Sequence, residues 1–66
     1  MKGNILILKR NIQEERRKRK IKVSEVCKYL GRDRFYLSKM VNPDLNTLID
    51  ISKAIGCSAS DLLKGL

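Results

Sequence analysis

The sequence predicts an all-α domain, a compact bundle of about five short helices. Apolar residues recur at helical spacing in segment after segment. Gly31, Pro43, Gly56 and Gly65 punctuate those segments at places where helices stop. No strand-like alternation persists outside the short run Ile5–Leu8. With 66 residues the chain is expected to form one domain, 1–66, without a second domain to bind an effector. A domain of this size buries only about 60 % of the surface its unfolded chain exposes, so its core has to be economical.

The first helix is predicted from about Ile5 to Arg19, because Ile5, Leu8 and Ile12 form one apolar stripe. Glu14–Lys18 and Glu15–Arg19 are acid-first i,i+4 pairs that support it. Val23–Leu30 is the second helix, with Val26, Cys27 and Leu30 as its buried face. Gly31 takes positive φ cheaply and ends it. Asp33 is then a suitable N-cap for a third helix from Arg34 to Met40 or Val41, with Tyr36, Leu37 and Met40 on its inner face. Asn42-Pro43-Asp44 makes a turn and a further N-cap. Leu45, Leu48, Ile49, Ser52 and Ile55 stripe a fourth helix that stops at Gly56. Ser58-x-x-Asp61 has the spacing of a capping box and opens a short fifth helix carrying Leu62 and Leu63.

Composition narrows the chemistry. Lys and Arg number 15 against 7 acidic residues, a net charge of +8. An excess this large on so short a chain points to a polyanion as partner. From Arg16 to Lys22 every residue but Ile21 is basic. The chain has no His, no Cys-x-x-Cys, no phosphate loop and no paired carboxylates, so no metal, no cofactor and no enzymatic activity are expected. Cys27 and Cys57 read as small apolar residues in a reducing cytoplasm. The four-residue run Ile5–Leu8 is too short for a signal peptide or a membrane span.

Val23–Met40 holds two short helices joined by a tight turn containing glycine. Cys27 lies four residues before Gly31, Leu37 six after it and Met40 nine after it. That spacing supplies the small residue, turn glycine and apolar packers that a helix-turn-helix needs where its helices meet. The stretch resembles the phage Cro/repressor type of helix-turn-helix regulator, also called the xenobiotic-response-element type, with a lambda-repressor-like fold. The resemblance runs from about Ile12 to Leu63, and the run Asn42–Leu63 looks like that family's closing helices. Some positions depart from the family pattern. Lys22 stands where Ser or Thr usually caps the second helix, Val23 where Gln is common, and Arg32 where an apolar residue follows the turn glycine. Arg16 matches a common family arginine. Val41 replaces an acidic residue, and the loop to Pro43 is shortened.

The resemblance implies double-stranded DNA as partner, with Arg34, Phe35, Ser38 and Lys39 meeting bases. Their place on the outward face of the third helix agrees with this. Arg34 suits a bidentate contact to guanine, worth about 1–3 kcal/mol of discrimination. Lys39 suits guanine or a phosphate, Phe35 a thymine methyl, and Ser38 discriminates weakly. The competing readings are solvated charges for Arg34 and Lys39, and a core residue or dimer contact for Phe35. Phosphate contacts are expected from Arg16, Lys20, Lys22, Arg32, Tyr36 and Asn42, whereas Arg17, Lys18 and Arg19 read as a solvated face. Tyr36 is equally suited to partial burial.

The leading expectation is a cytoplasmic transcriptional regulator, a repressor or Cro-like switch of a bacterium, phage or mobile element. It would bind an inverted-repeat operator as a homodimer through Ile5–Leu8 or Leu63 and Leu66, with no membrane and no small-molecule ligand. A protein-interaction module, such as an antitoxin or an antagonist of a similar domain, is the alternative. RNA binding is disfavoured, since the chain has only three aromatic residues and no evident stacking platform.

Overall fold

A computed structural model describes residues 2–66, with side chains from Asn4 onward. The elements in order are α1 (Lys2–Lys18), α2 (Val23–Leu30), α3 (Tyr36–Lys39), α4 (Leu45–Ile55) and α5 (Ala59–Leu62), with no strand among the described residues. The expected all-α bundle of five helices is the architecture found. The principal packings are α2 on α4, α1 on α5, and α4 on α5.

The helix α1 begins at Lys2, ahead of the expected start at Ile5. The Ile5–Leu8 run continues the helix. Leu8 is buried, Ile5 and Ile7 are half-buried, and Leu6 turns outward at 67 % exposure. The helix α2 has the expected bounds and ends in a Schellman arrangement. Gly31 sits at φ 70° and donates its N–H to the Lys28 carbonyl (3.1 Å), while the Arg32 N–H reaches the Cys27 carbonyl (2.9 Å). Asp44 caps α4 by accepting from the Thr47 N–H (2.8 Å). The Ser58–Asp61 capping box forms in full at α5.

One core unites the elements: Leu8 and Ile12 from α1, Val26 and Cys27 from α2, Leu37 and Met40 from α3 and its end, Leu48, Ile51 and Ile55 from α4, and Leu62 from α5. Cys27, 2 % exposed, lies on the helix that packs against α4, where a small side chain lets two helices approach. The α4 stripe differs from expectation. Ile51 is wholly buried and Leu45 is 62 % exposed. The inward face follows positions 48, 51, 52 and 55, and Leu45 lies at its edge in the first turn of the helix. Ser52 occupies this face because its hydroxyl donates back to the Ile49 carbonyl (2.6 Å).

Polar groups fasten α1 at its middle and near its C-terminal end. Asn11, 4 % exposed, donates its side-chain amide to the Leu62 (2.9 Å) and Lys64 (2.6 Å) carbonyls, tying α1 to the end of α5. Glu15, 5 % exposed, takes Arg19 at 2.8 Å and Lys18 at 3.1 Å. The expected Glu14–Lys18 pair is not the one formed: Lys18 turns to Glu15, and Glu14 faces Arg10 at 3.9 Å. The hydrogen bonds from Arg19 and then Lys18 hold the Glu15 carboxyl below the usual range. The Thr47 and Ser58 N–H groups do the same for Asp44 and Asp61.

Two outcomes are expected. Asn11→Ala leaves the α5 end carbonyls without their donor and lowers unfolding free energy by about 1–3 kcal/mol, read by urea denaturation. The depressed carboxyls bind protons more weakly folded than unfolded. Their contribution is therefore whole above the ordinary carboxylate range and is lost as pH falls through it to the folded values. The urea midpoint should fall on acidification through that window, and less steeply in Glu15→Gln.

Candidate nucleic-acid interface

The segment after Gly31 folds as a turn before it folds as a helix. Asp33 Oδ1 accepts the Phe35 N–H (3.0 Å) and the Asp33 carbonyl accepts the Tyr36 N–H (3.1 Å). Arg34 and Phe35 are thereby held in a turn, and α3 proper spans Tyr36–Lys39, shorter at both ends than expected. Asp33 is thus not the N-cap expected of it: Phe35 holds that position without a side-chain cap hydrogen bond, and Asp33 closes the turn before the helix. Met40 leaves the helix with an extended backbone, φ −62°, ψ 128°, and its side chain is buried in the core.

Leu37 and Met40 face inward, Tyr36 is half-buried, and Arg34, Phe35, Ser38 and Lys39 are exposed. The four residues expected to meet bases therefore share the outer side of this turn and helix. Phe35, 46 % exposed, is not a core residue. Its ring has the Arg34 guanidinium at 4.7 Å and the Lys39 ammonium at 5.5 Å, while Arg32 stands 5.3 Å from the Tyr36 ring. Cations held over aromatic faces keep their charge outward while the ring restricts their wandering. The Ser38 hydroxyl donates to the Phe35 carbonyl (3.0 Å).

A cleft of about 300 Å³ runs beside this surface. Ile12 and Leu37 line it with Lys9, Gln13, Val23, Arg34 and Ser38. Lys9 Nζ donates to the Ser38 carbonyl at 2.7 Å. Val23 opens α2, and Lys22 before it contributes no side-chain cap hydrogen bond. The first amides of α2 thus lack a side-chain acceptor, the arrangement that suits an anion at a helix start.

The residues expected to touch phosphates are dispersed. Lys22 and Arg32 are exposed at the two ends of α2. Lys20 is exposed in the α1–α2 loop with a left-handed backbone, φ 56°. Arg16 is half-buried and braces that loop: its guanidinium donates to the Gln13 side-chain oxygen and to the Ile21 carbonyl (2.9 Å). Asn42 lies in a separate groove of about 210 Å³ with Asn4, Ile5, Val41, Pro43 and Leu63. Lys9 and Gln13 were missed by sequence reasoning. The available signal was that Lys9, Gln13 and Arg16 fall at i, i+4 and i+7, a polar stripe beside the Leu8–Ile12 stripe.

Glu15, Cys57 and Asp61 also converge, with their donor atoms within 4.8 Å of one another. Both carboxylates are already engaged, Glu15 by Arg19 and Lys18 and Asp61 by Ser58, so the cluster reads as a joint between α1 and the start of α5. Burial pushes the Cys57 thiol up, away from a reactive thiolate. No described helix is long and apolar enough to cross a membrane.

Residues 11–64 match the family model of the Cro/C1-type HTH DNA-binding domain. No curated protein and no solved structure matches the chain.

The left-handed backbone at Lys20 disfavours a side chain with a Cβ. Lys20→Gly is expected to raise unfolding free energy by up to about 1 kcal/mol in urea denaturation.

Proposed function

Because the chain belongs to the Cro/C1-type helix-turn-helix DNA-binding family, we propose that it is a sequence-specific transcriptional regulator, a repressor that reads the major groove of duplex DNA with α3. The observation that carries this reading is the gathering of Arg34, Phe35, Ser38 and Lys39 on one exposed surface, beside a helix start that lacks a side-chain cap. Direct readout needs side chains that project together from a helix small enough to enter the groove.

Arg34 makes the bidentate contact to guanine, Phe35 packs on a thymine methyl, Lys39 reaches a base or phosphate, and Ser38 adds a weak contact. Lys20, Lys22 and Arg32 contact phosphates, and the α2 N-terminus receives one. Arg16 has N–H groups left after bracing its loop and presents those to the backbone. Tyr36 offers its hydroxyl from a half-buried ring, and Asn42 contacts a flanking phosphate. This division of labour separates a charge term common to all sequences from a base term that discriminates.

A single short α3 reads few base pairs, which favours a homodimer on an inverted-repeat operator with half-sites about 34 Å apart. The exposed Leu6, Val41, Leu63 and Leu66 are the apolar material for such contact. The protein acts in the cytoplasm of a bacterial or phage-infected cell.

Selection from a random duplex pool at near-physiological salt tests the reading. The expected result is an enriched inverted repeat. Arg34→Ala then relaxes one position in each half-site by about 1–3 kcal/mol. Lys22→Gln weakens all sequences alike and lowers the salt slope by about one. Salt-sensitive binding without any enriched sequence overturns sequence-specific regulation and directs attention to a protein partner, as for an antitoxin or antagonist.

A further inference from the structure

We infer that Lys9 is a positioning residue for base recognition, tethering the C-terminal end of α3 to α1 so that α3 is held at one orientation; the inference rests on the major-groove reading above. The need for a tether follows from the size of α3. Four residues form a single turn, far below the length at which a helix persists on its own in water. The principal helix–helix packings leave α3 out, since they join α2 to α4, α1 to α5 and α4 to α5. Its hold on the core comes from Leu37, from the half-buried Tyr36 packed against the core and from Met40 just past its end. All three are apolar contacts, which are non-directional, so a directional bond at the helix exit fixes the orientation further.

Lys9 supplies that bond. Its ammonium meets the Ser38 carbonyl at 2.7 Å across 29 positions of sequence. Ser38 lies in the last turn of α3, where the helix leaves its own carbonyls open to outside donors. A charged donor makes this a stronger hydrogen bond than a neutral one. No carboxylate among the described residues forms an ion pair with Lys9 that would draw it away. Lys9 also lines the cleft shared by Val23, Arg34 and Ser38, so it stands between the start of α2 and the reading surface. It precedes residue 11, where the family match begins. The tether therefore comes from the α1 segment ahead of the matched domain, which gives that segment a part in recognition.

The test uses the full chain with Lys9→Met, which keeps an unbranched side chain of similar length and removes the donor, and with Lys9→Arg, which keeps one. In the DNA-free protein, amide exchange at Lys39 is expected to quicken about tenfold in Lys9→Met, the effect of one charge-assisted hydrogen bond, while exchange at Ile51 holds. The ratio of selected-site to random-duplex affinity is expected to fall about tenfold with the salt slope unchanged, and Lys9→Arg restores both readings. Unchanged exchange at Lys39 overturns the tether. A uniform loss on every sequence, with the salt slope lower by about one, also overturns it and makes Lys9 a phosphate ligand. If the wild-type chain shows no sequence preference, the DNA reading fails by itself, and the exchange measurement still decides the tether.

Discussion

A single helical turn cannot hold its own shape, and the surface assembled on α3 depends on how that turn is gripped. Nucleation of a helix costs more than one hydrogen bond returns, so α3 takes its geometry from its surroundings. Asp33 fixes the entry by accepting the Phe35 N–H, Leu37 and Met40 bury the inner side, and the Lys9 ammonium meets the Ser38 carbonyl at the exit. The Schellman end of α2 at Gly31 sets the direction from which the chain arrives. Core packing and display of the outward side chains are consequently one problem. Every residue that steadies the turn also restricts where Arg34, Phe35 and Lys39 point.

The cationic excess divides along structural lines. Arg16, Lys18 and Arg19 are occupied within the fold, bracing the end of α1 and the loop after it through Gln13, Ile21 and Glu15. Lys22, Arg32, Arg34 and Lys39 are left at the surface around α2 and α3. Charge on the first group contributes through close hydrogen bonds, whereas charge on the second is free to meet an anion. The solvated-face reading of Lys18 and Arg19 was thus incomplete, since Glu15 is nearly buried and both cations complete its shell. A helical-wheel argument cannot reveal this. It sees an i,i+4 pair but not the elements that cover it.

Much of the fold was legible from the chain because its punctuation is chemical. Gly31 and Gly56 adopt the left-handed conformation that ends a helix, Asp44 accepts at the next start, and Ser58 with Asp61 forms the reciprocal cap. These rest on bonds between near neighbours, which a sequence records directly. The outward set Arg34, Phe35, Ser38 and Lys39 was legible for the same reason, since Leu37 and Met40 settle which side of the segment goes in. Elsewhere the pattern misled. The stripe Leu45, Leu48, Ile49, Ser52 and Ile55 included Leu45, which is exposed, and left out Ile51, which is wholly buried. Several apolar residues on one short helix permit more than one stripe, and only the position of α2 selects between them.

Local hydrogen bonding and helical periodicity let the sequence by itself determine the all-α class, the order of the helices, most of their ends and which residues face outward on α3 and the turn before it. Tertiary structure decided what depends on groups far apart in the chain. Asn11 on the carbonyls of Leu62 and Lys64 and Lys9 on that of Ser38 have this origin. A carbonyl at a helix end carries no sequence signature, because every residue has one. Which side chain satisfies it is set only when two helices are brought together.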